Sequence, residues 1–443
     1  MILTLLRNSL KMILWLAPVL YLESIYSCKK ENIQPLNLIS IEAGGVDLNV
    51  SNRVAVKAPI TAMFTTNISP LSVSDTSVLL TRDYDHAGVP LTLIVSGTIL
   101  SIKPVADLIS GAFYTLVITS EVKSTHGEAF GSVAISFKTA GLFVPSNQVA
   151  YWSFDNSTDD VVGAYDALEA DRVGITFVPG KNDLSGQAAS FNGTTSLIQI
   201  ANGAALLKPE FAISFWMKLI SDDHVDSNGK QKGSFVIGLG NAHGLQFDVD
   251  PNYAWCRFSQ GFLLGDLKST ATNDFQFFAN GASKENIRNN PDSLVAGGIE
   301  NATVFNQDFG SVGLKQRLDN EWAHIAMTFT DTTKTRTLYI NGEKMYQQEL
   351  SLLNDTKVNP VLRPLATVKS LTFVSDTDIP ARYDDKLVFG FWQSKESTFG
   401  GALGSYSNTD ANHFKGLLDD VRIFNRALSE KEVSLIYEGE KPY

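Results

Sequence analysis

Short runs in which apolar and polar residues alternate recur along this chain, and they constrain its fold more than any other feature. In "GAFYTLVITSEV" the apolar positions are Tyr114, Leu116 and Ile118, and "FAISFWMKL" alternates in the same way from Phe211 to Leu219. A period of two places alternate side chains on one face of a strand, so each run predicts a half-buried β-strand. The pattern predicts an all-β protein built from sandwiches.

The chain divides into two β-rich segments. Its 443 residues are enough for two or three domains, and a hydrophobic content of 44% can fill their cores. Residues 36–140 and 148–443 are predicted as separate domains, because Gly and Pro punctuate the stretch 141–147 between them. The net charge of -11 argues against a nucleic-acid partner, which would require clustered Lys and Arg.

The N-terminus has the order of a secretory signal. Arg7 and Lys11 precede an apolar run at 12–22 that is too short for a comfortable membrane span. The following "SIYSC" resembles the bacterial lipobox. This resemblance implies a signal peptide over 1–27, a lipidated Cys28 and a tether over 28–35. The "KKEN" that follows resembles the charged stretch of some bacterial surface lipoproteins, which implies display at the outer membrane of a bacterial cell. The alternative is a plain secretory signal with a chance Cys. With Cys28 lipidated, Cys256 has no intramolecular disulfide partner and is expected to be a small buried hydrophobe.

Residues 36–140 resemble a known spacer module. The strands "SGTILSIKP" and "LISGAFYTLVITSEVKSTHG" are similar to those of the SbsA-type bacterial Ig-like domain. The resemblance implies an Ig-like sandwich that lifts a functional domain from the surface. Its residues show no pattern typical of a chemical site.

Residues 148–443 resemble a second family. The order "VAYWSFD", "AASFNGTTSLIQI", "FAISFWMK", "EWAHIAMTFT", "TRTLYINGEK" and "GLLDDVRIFNRALSEKEV" is similar to the laminin-G-like, concanavalin-A-like jelly roll of bacterial surface proteins. Asn192-Gly193 predicts a tight turn within a strand pair, and Asn341-Gly342 predicts another turn. The stretches 220–320 and 351–385 are interpreted as loop insertions, where binding functions usually lie.

Two adjacent acids, Asp419 and Asp420, lie in the closing strand. They could be surface charges, ion-pair partners, metal ligands or catalytic acids. Val421 and Ile423 are expected to face the core with Arg422 outward. Ser429 and Glu432 predict a capping box, and the helix that follows is expected to dock through Val433, Ile436 and Tyr437.

The jelly-roll resemblance implies a calcium ion between the closing strand and the loop "FDNSTDDVVG". Calcium prefers several oxygen ligands. The candidate ligands are Asp155, Asp159 or Asp160, and Asp419. The alternative is that these residues are turn formers and strand-end charges.

Catalysis has little support in the sequence, so we expect no enzyme. "EADRVG", beginning at Glu169, has two acids of the E-x-D-x-(x)-E motif of one class of jelly-roll glycosidases but lacks the third. His324 alternates with apolar residues and is expected to be packed. A glycoside hydrolase is the weakest alternative.

Binding of a glycan by the jelly roll is the predicted function, and an adhesion or structural module that binds another protein is the alternative. A glycan site would show an aromatic-floored groove, whereas a protein site would show a flat apolar patch. No ligand-binding residue can be assigned from the sequence. The aromatic candidates near loops are Trp255, Phe277, Phe278, Trp392 and Tyr406, and those expected in the core are Trp152, Trp216 and Trp322.

Overall fold

The computed structural model describes residues 34–49, 53–183, 185–206, 210–239, 245–253, 255–264, 270–273, 276–278, 302–304, 314–333, 335–349, 368–370, 385–397 and 404–442. Within these ranges the regular secondary structure is almost entirely β, with 26 strands and two α-helices. The all-β prediction is therefore confirmed. The chain divides into two compact units, centred on strands β1–β8 and β9–β26. The predicted signal peptide and Cys28 lie outside the described residues.

The first unit is a sandwich of two antiparallel sheets. One sheet has the order β2-β1-β3-β6-β5 and the other the order β4-β7-β8. The strands are β1 (Leu38–Ala43), β2 (Val46–Asp47), β3 (Ile60–Phe64), β4 (Val78–Arg82), β5 (Leu91–Ser96), β6 (Ile99–Pro104), β7 (Phe113–Ile118) and β8 (Val133–Lys138).

Alternation in the sequence predicts the core of the first unit. Tyr114, Leu116 and Ile118 on β7 are buried, and Tyr114 stacks on Phe137 with ring centroids 5.7 Å apart. On β5, by contrast, the alternating apolar residues are only half-buried. The reason is position, since β5 is an edge strand with a neighbour on one side only.

The second unit is a larger two-sheet sandwich of the jelly-roll class. Its strands are β9 (Gln148–Trp152), β10 (Arg172–Val173), β11 (Thr176–Pro179), β12 (Gln187–Asn192), β13 (Leu197–Ile200), β14 (Phe211–Leu219), β15 (Ser234–Leu239), β16 (Leu245–Val249), β17 (Trp255–Leu264), β18 (Thr270–Asn273), β19 (Gln276–Phe278), β20 (Ala302–Val304), β21 (Trp322–Thr330), β22 (Thr335–Ile340), β23 (Glu343–Glu349), β24 (Val368–Ser370), β25 (Leu387–Phe389) and β26 (Lys415–Phe424). The helices are α1 (Lys315–Leu318) and α2 (Glu430–Glu440).

The two sheets pack face to face around one apolar core. The first sheet has the order β11-β12-β26-β14-β21-β22-β23-β20, with β9 also paired to β26. The second has the order β10-β13-β25-β15-β16-β17-β18, with β19 and β24 also paired to β17. Phe215 of the first sheet meets Phe247 of the second edge to face, with ring centroids 5.5 Å apart. Alternate residues of each strand fill this core, as is typical of sandwiches.

Two sequence predictions about the second unit need correction. The Asn192-Gly193 turn does not join a strand pair, because β12 belongs to the first sheet and β13 to the second. Asn192 accepts the backbone N–H groups of residues 194–196, and this turn carries the chain across the core. The stretch 220–320 is not only loop, because β15 and β16 within it are buried strands of the second sheet. The stretch 351–385 lies almost wholly outside the described residues.

Helix α2 covers part of the outer face of the first sheet. Its capping box is confirmed: the Ser429 side chain accepts from the Glu432 N–H, and the Glu432 carboxylate accepts from the Ser429 N–H. Tyr437 stacks on Trp216 with centroids 5.8 Å apart. The Asn341-Gly342 turn is also confirmed, with positive φ at both residues. No helix among the described residues is long and apolar enough to cross a membrane.

Candidate functional site

A β-bulge brings the two adjacent carboxylates of β26 to the same side of the strand. Trp216 on β14 pairs with Asp419, and Ser214 pairs with Arg422, so two residues of β26 lie opposite Phe215 alone. Asp420 has φ of 49°, in the left-handed region that non-glycine residues rarely adopt. In a regular strand the two side chains would point to opposite faces. The bulge therefore places the two carboxylates side by side. Bulges near functional sites often redirect a side chain in this way.

Lys181 lies between these two acids. Its Nζ contacts Asp419 Oδ2 at 3.1 Å and also Oδ2 of Asp420. The side chains of Lys181 and Asp419 are 1% and 0% exposed, so this ion pair is removed from water. Residue 180 must be small, because a Cβ there would lie 2.6 Å from Ser185 Oγ and 3.1 Å from Asp419 Oδ2. Gly180 thus allows the loop after β11 to place Lys181 against the bulge.

A second layer of contacts holds Asp420 and closes the cluster. Tyr151 Oη donates a hydrogen bond to Asp420, and Arg422 Nη2 lies 3.3 Å from Asp420 Oδ1. Arg422 Nη1 also contacts both carboxylate oxygens of Glu440, at 2.9 and 3.1 Å. The same carboxylate accepts from Trp216 Nε1 at 2.9 Å. Val421 and Ile423 face the core as expected, whereas Arg422 is buried under α2 instead of solvated.

Burial and neighbouring charges shift the pKa values of the two carboxyl groups in opposite directions. Burial, together with the charge of Asp420, raises the pKa of Asp419 to about 7, although Lys181 opposes the shift. Burial also opposes ionisation of Asp420, but Arg422 and Lys181 outweigh it and lower the pKa of that carboxyl. The buried Arg422 stays charged, because Glu440 and Asp420 raise its pKa. The two acids therefore have different preferred protonation states.

The structure separates the candidate calcium ligands into different roles. Asp160 is buried, and its two oxygens accept the N–H groups of Tyr151, Val162, Ala164 and Tyr165. Asp155 is exposed, accepts from the Gln187 N–H at 2.7 Å, and lies near enough to Asp419 to raise its pKa. Asp159 is exposed.

These contacts do not fit a calcium ion held jointly by Asp155, Asp160 and Asp419. All the lone-pair capacity of Asp160 is directed at backbone donors, and the Lys181 ammonium supplies the positive charge that a cation would bring to Asp419. Among the described residues, no group of three or more His, Cys, Asp or Glu side chains is arranged to hold a metal ion.

The buried ionisable side chains around the bulge, which we call the bulge cluster, are Lys181, Asp419, Asp420, Arg422 and Glu440. This cluster has little space for a polymeric substrate. The adjoining cavity, lined in part by Tyr151, Lys181 and Asp420, has a volume of about 90 Å³. Ligand pockets usually have volumes of roughly 300–1,000 Å³. The cavity therefore admits a few water molecules and not a sugar chain. Glu169 is exposed and paired with Arg172, so it does not have the buried environment of a catalytic acid.

His324 is a packed residue of the first sheet. It is fully buried, its Nε2 is 2.8 Å from Ser214 Oγ, and its ring lies 5.2 Å from that of Trp216. Burial, reinforced by the charges of Arg422 and Lys181, lowers its pKa to about 3. His324 is therefore neutral at ordinary pH. Cys256 is likewise buried with a free thiol, and burial raises its pKa.

The structure buries three of the tryptophans in different places. Trp152 lies in the core of the sandwich, Trp216 lies beneath α2 on the outer face of the first sheet, and Trp392 lies in a smaller apolar cluster. Trp322, which was expected in the core, is only half-buried. Tyr406 is half-buried and donates to the Thr195 carbonyl at 2.5 Å. The side chains of Trp255, Phe277 and Phe278 lie outside the described residues. The buried Trp152, Trp216 and Trp392 therefore offer no ring surface to a ligand.

A hydroxyl-lined groove, which we call the threonine groove, lies on the outer face of the first sheet. Its volume is about 370 Å³. Thr328 pairs with Thr337 and Thr330 with Thr335 across β21 and β22. The groove is lined by these four threonines together with Thr333 and Tyr339.

The groove is polar but carries little charge. Gln347 and Lys344 of β23 complete one wall, and Leu428 adds an apolar contact. Lys344 is paired with Glu430 at 2.7 Å. Sequence reasoning missed this site, although "TFTDTTKTRT" contains the signal. Its threonines occupy the alternate positions that a strand presents opposite to its core face.

The comparisons with known proteins identify part of the chain. Residues 47–139 match the family model described as the bacterial Ig-like domain. This match confirms the Ig-like part of the resemblance seen in the sequence. No curated protein sequence matches the chain.

Among solved structures, the chain is similar to the binding domain of Paraclostridial Mosquitocidal Protein 1, with 16% identity and a TM-score of 0.36. The alignment covers 66% of this chain and 52% of that one. The botulinum neurotoxin serotype D binding domain gives 15% identity, coverage of 66% and 52%, and a TM-score of 0.36. Domain 4 of the arabinanase AbnA from Geobacillus stearothermophilus, in complex with arabinotriose, is 15% identical, with a TM-score of 0.34. That alignment covers 66% of this chain and 98% of that one. The chain thus spans about half the length of the first two.

Proposed function

We propose that this chain is a non-enzymatic, glycan-binding lipoprotein of the bacterial cell surface, and that the threonine groove holds the glycan. The observation that carries the proposal is the lining of the groove. Its five threonines and one tyrosine offer hydroxyl groups, each of which can both donate and accept a hydrogen bond. A sugar presents the same chemistry, so the two surfaces can match donor to acceptor without burying a charge.

The size and charge of the groove support a neutral saccharide. Its volume of about 370 Å³ falls in the range typical of small-ligand sites. Its one lysine, Lys344, is already neutralised by Glu430. Among the described residues, the adjacent buried acids Asp419 and Asp420 lie at the bulge, beside a cavity of about 90 Å³. Binding without catalysis is therefore the function that the described residues support best.

A glycan array, probed with the chain beginning at residue 29, tests the proposal. The double variant Thr330→Val, Thr335→Val removes two half-buried hydroxyls and keeps side-chain shape and β-propensity. Each lost hydrogen bond costs about 1 kcal/mol, so the double variant should weaken the selected glycan roughly 30-fold by calorimetry. Thr176→Val, at an exposed position on β11 of the same sheet, is the matched control and should bind normally.

Two results would contradict the groove assignment. One is a glycan that binds equally well to the wild type and to the double variant. The other is an array on which no saccharide is retained by a correctly folded chain.

The lipid anchor is a separate part of the proposal. It rests on the order of charged and apolar residues before "SIYSC". Cys28→Ala should move the protein from the membrane fraction to the soluble fraction after expression in a bacterium that processes lipoproteins. An unchanged partition would exclude Cys28 as the anchor.

A protein-binding function is the second candidate, and one observation favours it. On the outer face of the larger sheet of the first unit, Met63 pairs directly with Ile99, and both side chains are exposed. Ile94 on the neighbouring edge strand is 59% exposed. Exposed apolar side chains grouped on one face are typical of protein contacts. Retention of a protein ligand that Met63→Thr, Ile94→Thr abolishes would support this candidate.

A further inference from the structure

The buried contact between Lys181 and Asp419 places an amine beside a carboxyl group. The amine nitrogen lies 3.1 Å from Asp419 Oδ2, which is one bond from the carboxyl carbon. Both side chains are almost completely buried. Groups held at such a separation react as if at very high concentration, because the entropy of bringing them together has been spent in folding.

The two carboxyl groups around Lys181 have unequal partners. Asp420 contacts Lys181, the Tyr151 hydroxyl and the Arg422 guanidinium, which together favour its ionised form. Asp419 contacts only Lys181 through Oδ2, and its Oδ1 is buried with no hydrogen-bond partner. A buried oxygen without a donor is costly for a carboxylate. The environment therefore assigns the base to Asp420 and the neutral acid to Asp419.

We propose that Lys181 and Asp419 condense to form an intramolecular amide bond that joins the loop after β11 to β26. The Lys181 ammonium first gives one proton to the Asp420 carboxylate. The freed electron pair on Nζ attacks the carboxyl carbon of protonated Asp419, and an N–C bond forms. Asp420 then passes its proton to the departing hydroxyl of Asp419 while the amine loses its second proton to Asp420. One water leaves, and no oxidant or cofactor is consumed.

The surroundings favour this condensation. An amide forms from an amine and an acid only where bulk water is kept from reversing the step, and the two reacting groups are sealed by β26 and the loop. Trp216 flanks the amine, with its ring centroid 5.5 Å from Nζ. The adjoining cavity of about 90 Å³ is lined by Lys181, Tyr151 and Asp420 and can receive the departing water.

The bond would give the second unit a covalent closure. Lys181 and Asp419 are 238 residues apart in sequence. A link between them would restrict the unfolded chain as a disulfide does, but without a bond that reducing agents can break. Such a closure suits a protein held outside the cell.

The intact mass of the purified chain, measured under denaturing and reducing conditions, tests the proposal directly. The wild type should be lighter than its calculated mass by the mass of one water. Trypsin should release residues 416–422 attached to the peptide that contains an uncleaved Lys181. A wild-type protein with the full calculated mass and with free 416–422 would overturn the proposal, whatever the variants do.

Variants assign the roles. Lys181→Arg keeps the positive charge but cannot form the amide, so it should have its full calculated mass and migrate more slowly than the wild type on a denaturing gel. Asp420→Asn removes the base and should leave most of the chain unlinked. Lys218→Arg, at a half-buried position on β14, is the matched control and should keep the mass deficit. A deficit that persists in Lys181→Arg would assign the lost water to another pair of residues and refute this one.

Discussion

On the outer face of the first sheet, β14 and β26 carry Trp216 and Arg422 beneath helix α2, whereas β21 and β22 carry the paired threonines of the groove. The first region buries five ionisable side chains in contact with one another: Lys181, Asp419, Asp420, Arg422 and Glu440. The second region arranges neutral hydroxyls around about 370 Å³ of open space, although the side chains of Thr328, Thr337 and Tyr339 are largely buried.

This difference suits one region to stabilising the fold and the other to binding a ligand. Ionised groups are costly to bury unless each has a partner, so a buried cluster makes its members depend on one another. Neutral hydroxyls can remain partly solvated and still offer hydrogen bonds to a ligand. The bulge cluster therefore supports the attachment of β26, the loop after β11 and α2, and the threonine groove is left free to bind.

The largest expected effect comes from removing the cation of the bulge cluster. Lys181→Met removes the amine that the proposed amide requires and also leaves Asp419 and Asp420 without a shared positive charge. The loss of the buried charge alone should destabilise the second unit by about 3–5 kcal/mol in denaturant unfolding. Lys386→Met is the control, because its partner Glu396 is half-exposed, and such pairs contribute roughly 0–1 kcal/mol. Equal losses in the two variants would mean that burial does not distinguish the two pairs.

The pH dependence of stability should show the burial of His324. Its pKa is about 3 in the folded protein and near 6.5 in the unfolded chain, so below pH 6.5 the unfolded state binds the extra proton. Stability is present above pH 6.5 and is lost as the pH falls toward 3. From pH 7 to pH 5 this one group should cost about 2 kcal/mol.

His324→Gln should therefore show a shallower loss of stability over this pH range than the wild type. His224 and His413 also have pKa values lowered to about 4, by burial first and Lys232 second, and they remain in both proteins. An identical pH slope in the variant would show that His324 is not buried in its neutral form.

A smaller effect is expected from the cap of α2. Ser429→Ala removes the oxygen that accepts from the Glu432 N–H and should cost about 1 kcal/mol in thermal or denaturant unfolding. Glycan affinity should fall much less than in the Thr330→Val, Thr335→Val variant, because Ser429 itself does not line the groove, although its neighbour Leu428 does and Glu430 pairs with the groove residue Lys344. A parallel loss of glycan affinity would show that the two regions are coupled.

Calcium should have the smallest effect. The contacts of Asp160 and Asp419 favour no shift in melting temperature between calcium and chelator, and Asp419→Ala should not alter that result. A calcium-dependent rise would instead indicate binding to the native state. Metal analysis of the purified protein is the independent measurement, and bound calcium would restore the original ligand prediction.

Local pattern predicted many of the elements of this fold, although the stretch 220–320, interpreted as loop, contains the buried strands β15 and β16. The alternation at Tyr114, Leu116 and Ile118 predicted a buried strand face, and the Ser429–Glu432 spacing predicted a capping box that the structure contains. The partners of each strand were harder to predict from the sequence. Asn192-Gly193 is a correct turn with the wrong partner strands, because the same residues can turn a hairpin or carry the chain between two sheets.

The candidate site depended even more on distant contacts. The sequence placed Asp419 and Asp420 next to each other, but a regular strand would have separated their side chains. The bulge opposite Phe215 and the left-handed backbone of Asp420 brought them together. Lys181 could not have been assigned as their partner, since 238 residues separate it from Asp419.

The sequence by itself thus determined an all-β chain and the capped closing helix, because period-two alternation and capping spacings act through neighbouring residues. Its resemblance to a known module indicated the Ig-like first unit. Only the tertiary structure decided which charges are buried together and which hydroxyls share a groove. Those properties depend on strand order and on one local break in register. They arise from contacts that residues far apart in sequence can make only after the two sheets have packed.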